Sequence, residues 1–152
     1  MAVVARLTQG KISAEAELGR FMADLSDAGA VVTFSGVARG STRAGEKVES
    51  LHLDHYPGMT EQSLEQIARD GATRFEVGDV LVIHRCGTIQ PGEVIVFVAT
   101  ASPHRRAAFE AADYLMDRLK TEAVFWKKEQ GVDAARWIEP TDGDRADRDR
   151  WR

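Results

Sequence analysis

Residues 102–129 constrain the fold more than any other part of the chain, because they have the pattern of a long helix with cations at both ends. Ser102 is predicted to cap this helix, and Pro103 suits its first position because the missing N–H would have no partner there. One face carries apolar residues every three or four positions: Phe109, Ala112, Met116 and Leu119. We predict that this face is buried, so the rest of the chain must supply a surface that covers it.

The first turn of this helix carries His104, Arg105 and Arg106. The N-terminal end of a helix already has partial positive charge, so cations there are unfavourable unless an anion is bound. Exposed backbone N–H groups together with guanidinium groups form a suitable site for a phosphate or a carboxylate. The alternative is that the three side chains point into water.

Further cations lie at the C-terminal end of the same helix. Lys120 is where the helix dipole favours a positive charge, so alone it indicates little about function. Lys127 and Lys128 follow just beyond, after the apolar residues 124–126. The sequence therefore predicts one group of cations at each end of the helix.

Composition indicates one globular domain and excludes several classes of protein. With 152 residues, 43% hydrophobic and 29% charged, the chain can form a sizeable core. A net charge of −4 argues against a general nucleic-acid binder. No apolar run approaches the roughly 20 residues of a membrane helix, so no membrane association is expected. The lone Cys86 excludes an intrachain disulfide and a thiolate metal cluster, so we expect a cytoplasmic protein without metal or cofactor.

Outside this helix, short apolar strands and amphipathic helices are mixed along the chain. Helices are predicted to begin at Ser13 and at Thr60, the first ending at Gly29, and Pro91-Gly92 to form a turn between strands. The predicted strands cover residues 3–7, 30–39, 48–53, 80–83 and 93–98. This order predicts an α+β domain with a largely antiparallel sheet and the 103–120 helix packed on one face.

Polar residues elsewhere give weaker indications. Arg39 follows a predicted buried strand and precedes a polar loop, so it is either an anion ligand or an exposed strand end. His52 and His55 are three residues apart in a strand and point to opposite faces, which suits a metal poorly. Residues 141–152 contain four Asp and four Arg, which predicts a charged, flexible tail after a domain of residues 1–140.

Five blocks of sequence resemble, in order and at nearly the same spacings, the large, catalytic subunit of molybdopterin synthase. Together they span about residues 28–139. Any one block alone is a weak signal, whereas five in register are specific. The blocks are Gly-Ala-Val-Val-Thr-Phe-Ser-Gly at 29–36, His-Tyr-Pro-Gly-Met-Thr at 55–60, Val-Ile-His-Arg at 82–85, Ser-Pro-His-Arg at 102–105, and Leu-Lys-Thr-Glu-Ala-Val-Phe-Trp-Lys-Lys-Glu at 119–129.

This resemblance implies an α/β hammerhead-type fold with an added antiparallel sheet. It also implies a homodimer that binds a small ubiquitin-like sulfur carrier at each end, forming a heterotetramer. The implied reaction moves sulfur from the thiocarboxylate at the carrier's C-terminal Gly-Gly to cyclic pyranopterin monophosphate. Two such transfers produce the dithiolene of molybdopterin.

By the same resemblance, Lys120 and Lys127 match the essential lysines of the family. Relatives often carry a basic residue where this chain has Val37, so a phosphate contact there has to come from backbone or from another cation such as Arg106. Seven residues fall on positions of the family's substrate pocket: Val37, Ala38, Arg39, His104, Arg105, Lys128 and Glu129.

The residue types agree with this chemistry. Two clustered lysines beside apolar residues lower each other's pKa by repulsion and partial desolvation, so one can exchange a proton. We assign proton transfer to Lys120, with a transient covalent bond to the substrate as the alternative. Lys127 is assigned to polarising the thiocarboxylate or holding the pterin. Arg39, His104 and Arg105 are assigned to the phosphate and the pterin.

Two other functions fit parts of the sequence. A non-catalytic module could dock a ubiquitin-like partner or a phosphorylated ligand, but its marker would be loss of one of the two lysines, and both are present. An RNA-binding protein could use basic helix ends and exposed aromatic residues, but a net charge of −4 conflicts with it.

Overall fold

The computed structural model describes residues 2–25, 27–132 and 134–152. Within these residues the chain forms two four-stranded sheets and four helices. In chain order the elements are β1 (Ala2–Thr8), α1 (Ala14–Ala23), β2 (Ala30–Val37), β3 (Val48–His55), α2 (Met59–Phe75), β4 (Asp79–Arg85), β5 (Gly87–Ile89), β6 (Val94–Ser102), α3 (Arg105–Glu122), β7 (Phe125–Gly131), β8 (Ala135–Ile138) and α4 (Asp142–Asp149).

The first sheet has the strand order β1-β4-β6-β2. The β4–β6 and β2–β6 pairs are antiparallel, as the sequence predicts, whereas β1 and β4 run parallel. Alternate residues of β4 face opposite sides of this sheet: Val80 and Val82 contact the core beneath α2 and α3, and Leu81 and Ile83 contact α1. Helices therefore cover both faces of the sheet.

Helices α2 and α3 form the main core together with the first sheet. Ala68 and Leu115 are fully buried there. The two helices approach closely at Gly71, where an added Cβ would lie 2.8 Å from Leu115 Cδ2. Across the described residues, no helix combines the length and apolar character needed to cross a bilayer.

The second sheet has the order β5-β3-β7-β8, and all its pairs are antiparallel. Leu53 of β3 and Ile89 of β5 form a small core with Ala38, which follows β2. This sheet stands beside the first one and carries the polar strand β7. The arrangement confirms the predicted α+β class with an additional antiparallel sheet.

The long helix begins two residues later than predicted. Ser102 ends β6, where it pairs with Ala30 of β2, and His104 occupies the N-cap position of α3. The prediction of Ser102 as the cap is wrong because ladder pairing with β2 holds this residue in the sheet. Its hydroxyl still accepts a hydrogen bond from the His104 N–H at 3.3 Å.

The buried face of α3 is also offset from the predicted one. Phe109 is 61% exposed, so the prediction that it faces the core is wrong. Small residues occupy the face that meets the sheet and α2, which allows the close packing seen at Gly71. The most buried positions of α3 are Ala108, Ala111, Leu115 and Leu119.

Two predicted helix boundaries differ from the structure as well. Helix α1 ends at Ala23, well before Gly29. Helix α2 has Gly58 as its N-cap, with a φ of 86° that favours glycine. Thr60 lies inside the helix instead, because its buried hydroxyl bonds to the chain that precedes β7.

Residues 141–152, predicted as a flexible tail, contain the helix α4 in the structure. Thr141 caps it, accepting a hydrogen bond from the Asp144 N–H at 3.0 Å. Trp151, which follows the helix, packs against Phe75 and Tyr114 of the main core. The segment therefore adds a packed helix to the surface of α3, and its separation from a domain of residues 1–140 stays a prediction.

Candidate active site

Lys120 and Lys127 lie on either side of the turn that joins α3 to β7. The turn contains only two residues, 123 and 124. It is tied to the start of α2, because the Thr60 hydroxyl donates to the Val124 carbonyl oxygen at 2.6 Å and the Val124 N–H donates to Ser63 Oγ at 3.2 Å. These bonds hold the end of the helix and the start of the strand in place, and with them the two lysines.

Alternate residues of β7 face opposite sides of the second sheet. Phe125 stacks on His84, with ring centroids 4.3 Å apart, and Lys127 lies on the same side two residues later. Lys128 points to the other side, where its Nζ lies 5.6 Å from the centroid of the Trp137 ring. Lys127 therefore faces the interior of the site, next to aromatic groups, and is partly buried.

Burial distinguishes the two lysines. The pKa of Lys127 is lowered, chiefly because burial removes its ammonium group from water and further because the charge of Lys120 repels it. Lys120 itself is exposed at the end of α3. The assignment of proton transfer to Lys120 stays a prediction, and burial makes Lys127 the lysine that water solvates less well.

The side chain of His84 is an uncharged group next to Lys127. The pKa of His84 is lowered to about 4, chiefly by burial and to a smaller extent by the charge of Lys127, while the hydrogen bond to the Arg85 carbonyl opposes both effects. The Nδ1 atom lies 2.8 Å from that carbonyl oxygen, so Nδ1 carries the proton of the neutral ring. The imidazole is therefore neutral at pH 7 and adds to the desolvation of Lys127.

Residues 37–39 lie where β2 ends against the second sheet. Ala38 is buried next to Leu53, and Leu53 is the ladder partner of Lys127 in the β3–β7 pair. Val37 and Arg39, on either side of the buried Ala38, are exposed. The structure thus brings the predicted anion ligand Arg39 to the sheet that carries Lys127.

Lys128 and Glu129 already have partners within the second sheet. Lys128 lies over the Trp137 ring, on the side opposite Lys127. Glu129 accepts a hydrogen bond from Arg136 Nε at 3.1 Å across the β7–β8 ladder. Of these two predicted pocket residues, Glu129 shares the face of Lys127 and Lys128 does not.

The predicted anion site at the start of α3 is a real cavity of about 560 Å³ between this helix and the start of β2. His104, Arg105 and Arg106 line it and are exposed. The close approach of the two elements requires Gly29, because an added Cβ would lie 2.3 Å from the Pro103 carbonyl oxygen. Helix N–H groups and two guanidinium groups make the cavity suitable for an anion.

The two groups of cations do not meet within one chain. His104 and Lys120 are 16 residues apart, which at about 1.5 Å per residue along α3 separates them by roughly 24 Å. One small substrate cannot contact both. The structure therefore brings Lys120 and Lys127 together, places the segment of Arg39 against the sheet that carries Lys127, and leaves His104 and Arg105 at a distance.

Asp144 is a charged residue near the lysines that sequence analysis missed. Its charge raises the pKa of Lys127, against the effects of burial and of Lys120. The sequence contains a signal for it, since Thr141 and Asp144 have the spacing of a capping box. That pattern predicts that a helix starts at this position. The alternating charges of the segment indicate a flexible tail instead, so the two signals conflict.

Comparison with known proteins shows which proteins this chain is similar to. The model of the family described as MoaE protein matches residues 7–122. A Caulobacter vibrioides protein named molybdopterin synthase catalytic subunit is 53% identical over 131 residues, which cover 86% of this chain and 85% of that protein.

Solved structures agree in fold. A Burkholderia ambifaria structure described as molybdopterin biosynthesis MoaE protein superimposes with a TM-score of 0.82 and 39% identity, covering 99% of this chain and 98% of the other. The crystal structure described as molybdopterin synthase from Staphylococcus aureus gives a TM-score of 0.78 and 32% identity, covering 87% and 94% of the two chains.

Proposed function

The chain belongs to the MoaE family, and from this membership we propose that it is the catalytic subunit of a molybdopterin synthase. It transfers sulfur from the thiocarboxylated C-terminus of a small ubiquitin-like carrier to cyclic pyranopterin monophosphate, forming the dithiolene of molybdopterin. The observation that carries the proposal is the partly buried Lys127, with its lowered pKa, beside Lys120.

The lysine pair supplies the proton transfer and the positive charge of the reaction. Each transfer exchanges sulfur for oxygen. A carbon–sulfur bond breaks in the carrier, which is left as a carboxylate, and a new carbon–sulfur bond replaces a carbon–oxygen bond in the pterin, so negative charge must be stabilised and protons moved. We assign proton exchange to Lys127, because its lowered pKa lets it lose a proton more readily. Lys120 is assigned to stabilising the thiocarboxylate.

The remaining predicted pocket residues bind the anionic substrate. Arg39 follows Ala38, which packs against the sheet that carries Lys127, and Arg39 is assigned to the phosphate or the pterin. The backbone N–H and C=O of Ala38 are already bonded to Glu93 and Gly92, so Ala38 shapes the pocket, and the exposed Val37 lies at its edge. Glu129 lies on the same face as Lys127. Lys128, on the opposite face, is assigned to holding Trp137 at the edge of the pocket.

The carrier and a second copy of this chain complete the enzyme. The carrier's C-terminal glycines have no side chains, so they can enter a narrow channel as an extended strand and reach the lysines. In a homodimer, His104 and Arg105 of one copy complete the site that contains Lys120 of the other. We place the enzyme in the cytoplasm, in keeping with a chain that contains a single cysteine.

Reconstitution tests this function. The purified chain is mixed with thiocarboxylated carrier and the pyranopterin precursor, and the dithiolene product is measured. Product formation that depends on all three components is expected. If the chain binds the carrier but no product forms, the alternative of a non-catalytic binding module is correct instead.

A further inference from the structure

The segment after β8 folds back onto α3 and is held there by specific contacts. Arg150 bridges two carboxylates of α3, Asp113 at 2.7 Å and Asp117 at 2.9 Å. The Trp151 indole N–H also donates to Asp117, at 2.6 Å, while the ring packs edge-on against Tyr114. Aromatic packing and shared ion pairs together fix the end of α4 to the middle of α3.

The start of α4 is fixed from the other side by the second sheet. Ile138 of β8 pairs with Lys127 of β7, and only residues 139–141 separate it from α4. Since α4 begins beside β7 and ends at Asp113 and Asp117, it runs antiparallel to the last turns of α3. Its first turn therefore lies level with Lys120, the residue one turn beyond Asp117.

Asp144 is the acidic residue that this geometry directs toward the lysines. Its carboxylate accepts a hydrogen bond from the Thr141 N–H at 2.9 Å, which fixes the side chain at the start of α4. Partial burial works against its ionisation, but that hydrogen bond and the charges of Lys120 and Lys127 outweigh burial and lower the pKa of Asp144. The carboxylate is thus charged at neutral pH and interacts with both lysines.

The other described groups around Lys127 do not supply an unpaired negative charge. Glu129 shares its face of β7, but this carboxylate is already paired with Arg136 at 3.1 Å. The ladder partners of Lys127, Leu53 on β3 and Ile138 on β8, are apolar. His84 on β4 is neutral, and Lys120 on α3 repels a second cation. A carboxylate on α4 therefore offsets the repulsion within the lysine pair.

We propose that Asp144 is a positioning residue of the sulfur-transfer site, held by α4 beside Lys120 and Lys127 so that it sets the charge of the lysine pair. The anchors at Arg150 and Trp151 keep the carboxylate in place. Without the Asp144 carboxylate, repulsion between the lysines causes proton loss at a lower pH. The site then carries less positive charge to bind the anionic substrate and the carrier's thiocarboxylate. This inference rests on the proposed function for the role of the lysines.

Its test needs neither carrier nor pterin. The whole chain is exposed to trace acetic anhydride over a range of pH, and mass spectrometry measures the acetylation of Lys127 relative to the exposed Lys47. Asp144→Asn removes the charge while keeping an oxygen that can accept the Thr141 N–H. We expect the midpoint of Lys127 reactivity to move to lower pH by roughly half a unit. Asp147→Asn, an exposed charge on the same helix, is the matched control and should leave the midpoint unchanged.

A second pair of variants tests the contacts of Arg150 and Trp151 that hold α4 on α3. Trp151→Ala, or the milder Arg150→Gln if the first unfolds, should move the midpoint in the same direction, because α4 no longer holds the carboxylate in place. An unchanged midpoint in folded Asp144→Asn, or an equal shift in Asp147→Asn, would overturn the proposal. A shift in Asp144→Asn but in neither anchor variant would overturn the role of α4. Failure of sulfur transfer in reconstitution would leave these reactivity results standing, so the two failures are distinguishable.

Discussion

A subunit-mixing experiment tests whether two copies of the chain share one active site. It combines a Lys120→Ala chain with a His104→Ala/Arg105→Ala chain, each expected to be inactive alone. The reason lies in the length of α3: its two ends are 16 residues apart, so they are separated by roughly 24 Å. A pterin cannot span that distance, but two antiparallel α3 helices in a two-fold dimer can bring opposite ends together.

The expected recovery follows from counting sites. Random mixing of equal amounts gives about half mixed dimers, and in each of these one site has both defects and the other has neither. Roughly a quarter of the wild-type sites should therefore regain activity, measured as dithiolene product per total dimer after subunit exchange. Each unmixed variant, treated in the same way, is the control.

The reasoning would be refuted by mixed dimers that form and yet recover no activity. Dimer exchange must be confirmed with differently tagged chains. In that case each site is built from one chain, and His104 and Arg105 bind a different ligand in their own cavity.

Three further predictions concern the lysines, the carrier and the core. Lys120→Ala and Lys127→Arg should each lower the rate of product formation by about 10²–10⁴-fold. Lys120→Arg keeps the positive charge and should retain more activity than either. If Lys127→Arg is active and Lys120→Arg is inactive, Lys120 is the residue that transfers the proton. A bulky residue appended to the carrier's C-terminus should abolish product formation, and free sulfide acting at the same rate as the carrier would contradict a tail channel. Gly71→Val should lower the free energy of unfolding by about 1–3 kcal/mol in urea titrations, because the new side chain meets Leu115. Gly19→Val is its control, since among the described residues, apart from its chain neighbours and the backbone of its own helix, no atom lies within 4 Å of the added Cβ. An equal loss in both variants would rule out the packing explanation.

The sequence predicts local periodic elements well and their boundaries less well. The long helix, five of the eight strands in the described residues and the α+β class follow from spacing and β-branched residues. The strands β5, β7 and β8 are not predicted, because they are short or largely polar. The start of α3 is not predicted correctly, because Ser102 is suited both to capping a helix and to pairing in a sheet. In the structure Ser102 pairs with Ala30 of β2, so it belongs to the sheet. The apolar character of Phe109 predicts that it is buried, but the smaller Ala108 and Ala111 fit the close contact with the sheet and α2, so the buried face of α3 is centred on them and Phe109 is exposed.

The candidate site shows the same limit. The sequence predicts that Lys120 and Lys127 cluster near the end of the long helix, but it predicts neither the two-residue turn nor the strand β7 that bring them together. The position of Asp144 is not predicted either, because it depends on contacts of Arg150 and Trp151 with α3, more than 30 residues earlier in the chain. The separation of His104 from Lys120 needs only the length of a helix, so the sequence predicted it.

The most direct test of the central claim follows labelled sulfur in a single turnover. Carrier bearing labelled sulfur in its thiocarboxylate is mixed with the chain and the pyranopterin precursor, and the label is measured in the pterin and in the carrier. With the wild-type chain, the label should move to the pterin, and a Lys120→Ala/Lys127→Ala double variant that still binds the carrier should leave it in place. Label that stays on the carrier bound to the wild-type chain, or that moves equally well with the double variant, would contradict catalysis by this lysine pair.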